Sequence, residues 1–211
     1  AKSYALDATV ISANSAEEIN SAIKQEVADG KTAIRLNIAS DAGDNEFKAI
    51  REAFKNVKSG TIDLTLIGCK EIPADGLNDI KALKSIFLPD VTKIGMNALS
   101  YCVNLQEICA PNVSAIDERA FAGFIRLTKV TLGELTDVRG EANSGGGIFD
   151  DDKRITIDLY LPKNQEVMKG EFDENSNQYI WKPTGESYFA SLDSDNGKFL
   201  GYQFMSVKKW E

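Results

Sequence analysis

The chain has 211 residues, 43% hydrophobic and 27% charged, which is typical of a globular protein and excludes wholesale disorder. Its 32 acidic and 24 basic residues give a net charge of −8, which argues against nucleic acid and anionic membranes because both require basic patches. The chain contains no histidine, which excludes Ser-His-Asp and Cys-His nucleophile activation, HExxH zinc sites and mixed Cys/His zinc sites.

The first sixty residues predict two helices with a strand between them. Ser15-Ala16-Glu17-Glu18 is a capping box that opens a helix, and this helix should end near Gly30. Apolar residues alternate over residues 32–38, which predicts a strand. A second amphipathic helix should follow and end near Gly60. We interpret residues 1–60 as an N-terminal α/β capping region.

A 22-residue period organises the middle of the chain. In each copy an alternating apolar pair, such as Ile86 and Leu88, predicts a short strand that the following proline ends. Stacked copies would share one continuous apolar core, and we place this repeat region at residues 61–162. The aligned apolar columns begin with Leu64, Ile86, Ile108 and Val130; Leu66, Leu88, Ala110 and Leu132; and Ile72, Ile94, Ile116 and Val138.

The pattern breaks at the glycine-rich segment 140–147 and resumes near Ile155. Leu132 and Leu161 are separated by one period plus seven residues, so we expect an insertion here. The repeat is absent from residues 163–211, where the turn signal Asp195-Asn196-Gly197 predicts a hairpin. We interpret this segment as a C-terminal β cap within one continuous structural domain.

The three cysteines do not form a CxxC pair or a disulfide framework. Cys102 shares an apolar column with Ile80 and Phe124, so we predict that it is buried. Cys109 should face outward from its strand, and Cys69 could face either way. The sequence leaves open whether any of the three is bridged.

Carboxylates cluster at Asp150-Asp151-Asp152, beside the glycine-rich insertion. Such a cluster could bind calcium, but three acids in a loop are more often simply solvated. We therefore predict no metal and no cofactor.

The outward side chains of the predicted strands form a candidate ligand-binding surface, because stacked repeats hold side chains at regular spacing. Phe87 and Tyr160 are its predicted exposed anchors. One predicted column contains Arg35, Asp63, Ser85, Glu107, Lys129 and Asp158, and the other contains Asn37, Thr65, Phe87, Cys109, Thr131 and Tyr160.

The stretch from Leu83 to Leu127 resembles the BspA-like leucine-rich repeats of bacterial surface and secreted proteins. Leu99, Asp117 and Phe124 depart from the family pattern, which usually has Phe, Gly and Cys there. The resemblance implies an α/β solenoid: a right-handed leucine-rich-repeat coil with short parallel strands, an N-terminal α/β cap and a C-terminal β-hairpin cap. The matching residues of the first copy are Leu83, Ile86, Leu88, Pro89, Val91, Ile94, Gly95, Ala98 and Cys102, and those of the next are Leu105, Ile108, Pro111, Val113, Ile116, Ala120, Phe121 and Leu127.

The same resemblance implies an extracellular or cell-surface location and a non-enzymatic role in adhesion or protein recognition. The chain begins at Ala1 without Met, so we expect a trimmed form whose targeting segment is not in view. No apolar run reaches the ~20 residues of a transmembrane helix. The expected partner is a protein or glycan on a host or neighbouring cell. The alternatives are a structural module of a cell-envelope assembly and, less favoured, a hydrolase with a carboxylate pair in the C-terminal region.

Overall fold

The computed structural model describes residues 9–149 and 155–210 of the chain. Within them, most strands belong to two sheets that share one apolar core. The strands are β1 (Val10–Ser12), β2 (Ala33–Asn37), β3 (Ile62–Ile67), β4 (Glu71–Ile72), β5 (Leu83–Phe87), β6 (Lys93–Ile94), β7 (Glu107–Ala110), β8 (Ala115–Ile116), β9 (Lys129–Leu132), β10 (Asp137–Arg139), β11 (Asp158–Leu161), β12 (Glu166–Asp173), β13 (Gln178–Ser187), β14 (Lys198–Phe199), β15 (Tyr202–Gln203) and β16 (Ser206–Lys209).

The larger sheet has eight parallel strands in the order β1-β2-β3-β5-β7-β9-β11-β16. The smaller sheet has six strands in the order β12-β13-β10-β8-β6-β4. Each repeat therefore gives one strand to each sheet. The sequence predicted the strands of the larger sheet, and their parallel pairing is that of a repeat fold.

Two helices near the N-terminus confirm the capping pattern. The first, α1 (Ala16–Ala28), begins where the Ser15 hydroxyl accepts a hydrogen bond from the Glu18 amide at 3.1 Å. The second, α2 (Asp44–Phe54), ends six residues before Gly60, earlier than predicted. No helix among the described residues is long and apolar enough to cross a membrane.

Neighbouring repeats pair in register at a spacing of 22 residues. Ile86 lies opposite Ile108, which lies opposite Val130. All three side chains are fully buried, as the predicted columns require. The spacing grows by seven residues between β9 and β11, where Lys129 pairs with Asp158, and this confirms the insertion.

The turns of the repeats stack as well, which the sequence analysis did not predict. The amides of Leu77 and Leu99 donate to carbonyls of the next repeat, at Ala98 and Ala120, each at 2.8 Å. The backbone at Tyr101 has the positive φ of the left-handed region, and Gly123 holds the same place one repeat later. A Cβ on Gly123 would lie 2.5 Å from the Tyr101 ring, so a glycine is required there.

The register of β2 differs from the prediction. Leu36 pairs with Leu66, 30 residues later, so Arg35 lies beside Thr65 rather than Asp63. The predicted spacing was 28 residues, two too few for the connection that contains α2. A shift of two residues leaves the same side chains facing inward, so the apolar pattern alone could not detect it.

The C-terminal region contains more structure than the predicted hairpin. Strands β12 and β13 form a long antiparallel hairpin that joins the smaller sheet at β10, while β16 extends the larger sheet beside β11. The predicted turn at 195–197 is wrong, because these residues end a short helix, α3 (Leu192–Asp195). The Asn196 amide donates to the Leu192 carbonyl at 3.1 Å, and Gly197 takes a positive φ. Asn-Gly therefore ends a helix here instead of closing a hairpin.

Candidate functional site

The outward side of the larger sheet, which we call the strand face, carries two rows of side chains in register. All predicted ligand-binding residues except Asn37 lie in these rows; Asn37 lies further along β2, between Ser12 and Ile67. The first row is Ala33, Asp63, Ser85, Glu107, Lys129, Asp158 and Ser206, and the second is Val10, Arg35, Thr65, Phe87, Cys109, Thr131, Tyr160 and Lys208.

The strand face is more closely packed than the sequence predicted. Phe87 and Tyr160, predicted as exposed anchors, are half-buried. The threonines beside them are buried, with Thr65 2% and Thr131 8% exposed. Because parallel strands lie only about 4.8 Å apart, a large side chain covers a small neighbour in the same row. The two aromatic residues therefore present part of each ring to solvent.

Polar contacts between adjacent strands order the first row. The Ser85 hydroxyl donates to Asp63 at 2.6 Å, and the Ser206 hydroxyl donates to Asp158 at the same distance. Between these pairs, the Lys129 ammonium lies 3.8 Å from the Glu107 carboxylate. These contacts fix where the polar groups of the row point.

Tyr160 lies between two lysines on the strand face. The Lys129 ammonium is 4.8 Å from the ring centroid, and that of Lys208 is 5.9 Å away on the other side. Both distances allow a cation–π attraction. The sequence analysis missed Lys208 because β16 lies outside the repeat. The alternation of Ser206, Val207 and Lys208 was the only local signal for it.

The cysteine side chains are free and poorly suited to nucleophilic chemistry. Burial raises the pKa of Cys102 to about 12, and its exposure of 2% confirms the predicted buried position. Cys69 is also buried, and burial raises its pKa to about 12. Cys109 is half-buried on the strand face; burial, followed by the Glu107 charge, raises its pKa to about 11. A reactive cysteine needs a lowered pKa instead.

The C-terminal region offers two carboxyl groups with perturbed titration. Partial burial alone would raise the pKa of Asp137, but the guanidinium of Arg139 and the Lys182 ammonium hold it below its usual value. Hydrogen bonds from Ser176, first its hydroxyl, and from the Asn175 amide lower the pKa of Asp173. A glycosidase acid requires a raised pKa, so neither group suits that role.

Metal binding finds no site in the described part of the chain, where no three acidic, cysteine or histidine residues cluster suitably. The candidate calcium cluster Asp150-Asp151-Asp152 lies outside the described residues.

Comparison with known proteins identifies the repeat. Residues 45–145 match the family model of the BspA type leucine-rich repeat region, in six copies. No curated protein and no solved structure matches the chain. The family match spans the strands from β3 to β10 and includes the stretch Leu83 to Leu127, on which the sequence resemblance was based. Residues 45–145 therefore form a BspA-type leucine-rich-repeat region, as the sequence predicted.

Proposed function

We propose that the protein is a non-enzymatic recognition module that binds a protein or glycan through its strand face. One observation carries the proposal: two rows of polar and aromatic side chains run in register across the larger sheet. Strands hold their side chains more rigidly than loops do, and a rigid surface loses little entropy when it binds.

The charge of the strand face also supports this function. Arg35, Lys129 and Lys208 are balanced by three acids of the same rows, Asp63, Glu107 and Asp158. The face is thus neutral although the whole chain carries a net charge of −8. A neutral, patterned surface selects a partner by the arrangement of its groups, since it exerts no strong attraction on either sign of charge.

We extend the proposal to the architecture and location. The repeats would stack as a right-handed solenoid between an α/β cap and a β-hairpin cap. The packing of α1 against α2, and the addition of the β12–β13 hairpin and β16 at the opposite ends of the two sheets, support this arrangement. Exported location at a cell surface is typical of BspA-type repeats, and we propose it here on that basis.

Binding to a panel of immobilised extracellular-matrix proteins and glycans tests the proposed function. The informative variant is the double substitution Phe87→Thr, Tyr160→Thr, since threonine already occupies this row at Thr65 and Thr131. Aromatic residues at the centre of an interface commonly contribute about 2 kcal/mol or more, so we expect affinity to fall at least ~30-fold. Phe172→Thr is the matched control, because Phe172 is 58% exposed on the hairpin, away from the strand face.

Three outcomes separate the candidate functions. Binding that the double variant loses and the control keeps would support the strand face as the recognition surface. Binding that both variants keep would reject the strand face as the site. If no panel member binds the wild type, the structural-module alternative would be favoured.

A further inference from the structure

A second row of side chains, on the outward side of the smaller sheet, is interrupted at one position. Glu71, Lys93, Ala115 and Asp137 are successive partners in register on β4, β6, β8 and β10. Three of the four are long or charged, and only Ala115 is small. The missing side chain opens a cavity of about 200 Å³ between Lys93 and Asp137, which we call the Ala115 cavity.

One wall of the Ala115 cavity is a chain of polar groups held by their mutual hydrogen bonds. Arg139 donates from Nε to Asp137 Oδ1 at 2.8 Å and from its second terminal nitrogen to Oδ2 at 3.2 Å. Its remaining terminal nitrogen donates to the Gln178 amide oxygen at 2.7 Å, and the Gln178 amide nitrogen donates to Glu118 at 3.2 Å. The wall is therefore ordered before any ligand arrives.

The elements that carry these groups are rigid. Asp137 and Arg139 lie on β10, and Gln178 begins β13, the strand that pairs with β10. The floor is Ala115 together with the fully buried Ile116. The opposite wall differs, because Lys93 is 52% exposed and only 3.7 Å from Glu71, so its ammonium can adjust to a ligand.

The charges that line the cavity cancel. Lys93 and Arg139 contribute two positive charges, and Asp117 and Asp137 contribute two negative ones. Asp137 stays ionised near neutral pH, since its pairing with Arg139 outweighs the effect of burial and lowers its pKa. A ligand of either net charge would meet as much repulsion as attraction, so the lining favours a neutral ligand.

The lining alternates hydrogen-bond donors and acceptors within a small volume. Arg139 and Lys93 donate, the aspartates accept, and the Gln178 amide does both. A hydroxyl group also donates and accepts, so vicinal hydroxyls match this alternation. The cavity holds roughly six or seven water volumes, which is less than most drug-sized sites and close to one sugar ring.

We propose that the Ala115 cavity binds one neutral, polyhydroxylated ring, that is, a single monosaccharide unit. This site lies on the other sheet from the strand face and is independent of the function proposed for that face. It would recognise a sugar through hydrogen bonds from preordered side chains, and the affinity for a single ring should be in the millimolar range.

Titration of the whole chain with individual neutral monosaccharides, followed by two-dimensional amide NMR, tests this site. The probes are glucose, galactose, mannose and N-acetylglucosamine, with acetate and ethylammonium as charged controls. We expect at least one sugar to shift the amides of Ala115, Asp117, Arg139 and Gln178 saturably. The charged controls should leave these amides unshifted.

The substitution Ala115→Gln fills the cavity and leaves the polar wall intact. The same outward position carries Glu71, Lys93 and Asp137 in other repeats, so a longer side chain fits the fold there. We expect this variant to weaken sugar binding more than tenfold with an unchanged thermal melt. Lys169→Gln, at an exposed position of the same sheet, is the matched control and should bind as the wild type does.

Loss of the sugar-induced shifts in Ala115→Gln alone would support the site. Three results would each overturn it: no saturable shift with any of the four sugars, shifts that persist in Ala115→Gln, or stronger shifts with a charged control. None of these results depends on partners of the strand face, so the two proposals can fail separately.

Discussion

The repeat region and the C-terminal region reach their structures by different routes. In the repeat region, backbone pairs join residues 22 apart, as Ile86 and Ile108 do, and each apolar position recurs in the next copy. In the C-terminal region, Leu159 pairs with Val207, and Val138 pairs with Trp181, across separations that occur once. A periodic sequence states each contact several times, whereas a closing segment states it once. The C-terminal region is therefore harder to predict.

Two buried residues join the regions. Phe149 packs edge-on against the rings of Tyr202 and Phe204, with centroids 5.4 and 5.6 Å away. Gln165 is fully buried, and its amide accepts from the Leu135 amide at 2.7 Å and donates to the Leu135 carbonyl at 3.2 Å. Its side chain thus takes the place of a neighbouring strand where the repeat stops.

The largest expected effect comes from breaking this junction with Phe149→Ala. Truncation of a buried Phe typically costs about 3–5 kcal/mol, so the free energy of unfolding should fall by that amount in urea titrations. Both regions should still unfold in one transition if the junction couples them. Phe172→Ala removes an exposed ring and should change stability by less than about 0.5 kcal/mol. An equal effect of the two substitutions would contradict the coupling.

Within the repeat region, Leu105→Ala should lower the free energy of unfolding by about 2–5 kcal/mol, because Leu105 is 2% exposed in a stacked apolar column. The matched control is Ile125→Ala, at a side chain that is 73% exposed. A thermal melt of Leu105→Ala that coincides with the wild type would show that the packing of this column is wrong.

A smaller loss is expected for Gln165→Leu, which keeps the side chain's size but leaves the Leu135 amide and carbonyl without the glutamine. Buried polar groups that lose their partners cost about 1–3 kcal/mol each, so we expect a loss of roughly 2–3 kcal/mol by urea unfolding. Gln203→Leu, at a residue whose amide bonds lie nearer solvent, serves as the control. A neutral Gln165→Leu variant would mean that the amide bonds add nothing to the junction.

The thiols provide the mildest test. Burial raises the pKa of Cys109 from 9.0 to about 11, so at pH 8 its thiolate, and hence its alkylation rate, should be about 100-fold lower than in the urea-unfolded chain. Because the folded pKa is the higher one, stability is retained below about pH 9 and falls as the pH rises towards 11. Alkylation of native Cys109 as fast as in urea would contradict this environment.

The repeat strands could be predicted because six apolar columns recur in the sequence. The smaller sheet was missed because β4, β6 and β8 have only two residues each, too short for alternation to show. The strand face was located from the alternation around Ile86 and Ile108. Its half-buried state was not, since covering of Thr65 by neighbouring large side chains depends on the distance between strands.

The Ala115 cavity could not be seen in the sequence for a different reason. An alanine at an outward strand position carries no signal by itself. Its meaning depends on Gln178, more than sixty residues away, which completes the wall only when β13 pairs with β10. Segments that pair once over long separations require the tertiary structure to be known.

The stacked hydrogen bonds also determine how the molecule would respond to force. Backbone bonds between repeats connect each repeat to the next in both sheets and in the turns. A pull along the stacking direction would load these bonds in series, so that one repeat detaches before its neighbour is strained. Each detached repeat would release 22 residues, which is roughly 75 Å of extended chain. Such a molecule would act as a stepwise extensible tether, and it could lengthen under load while its remaining repeats stayed folded.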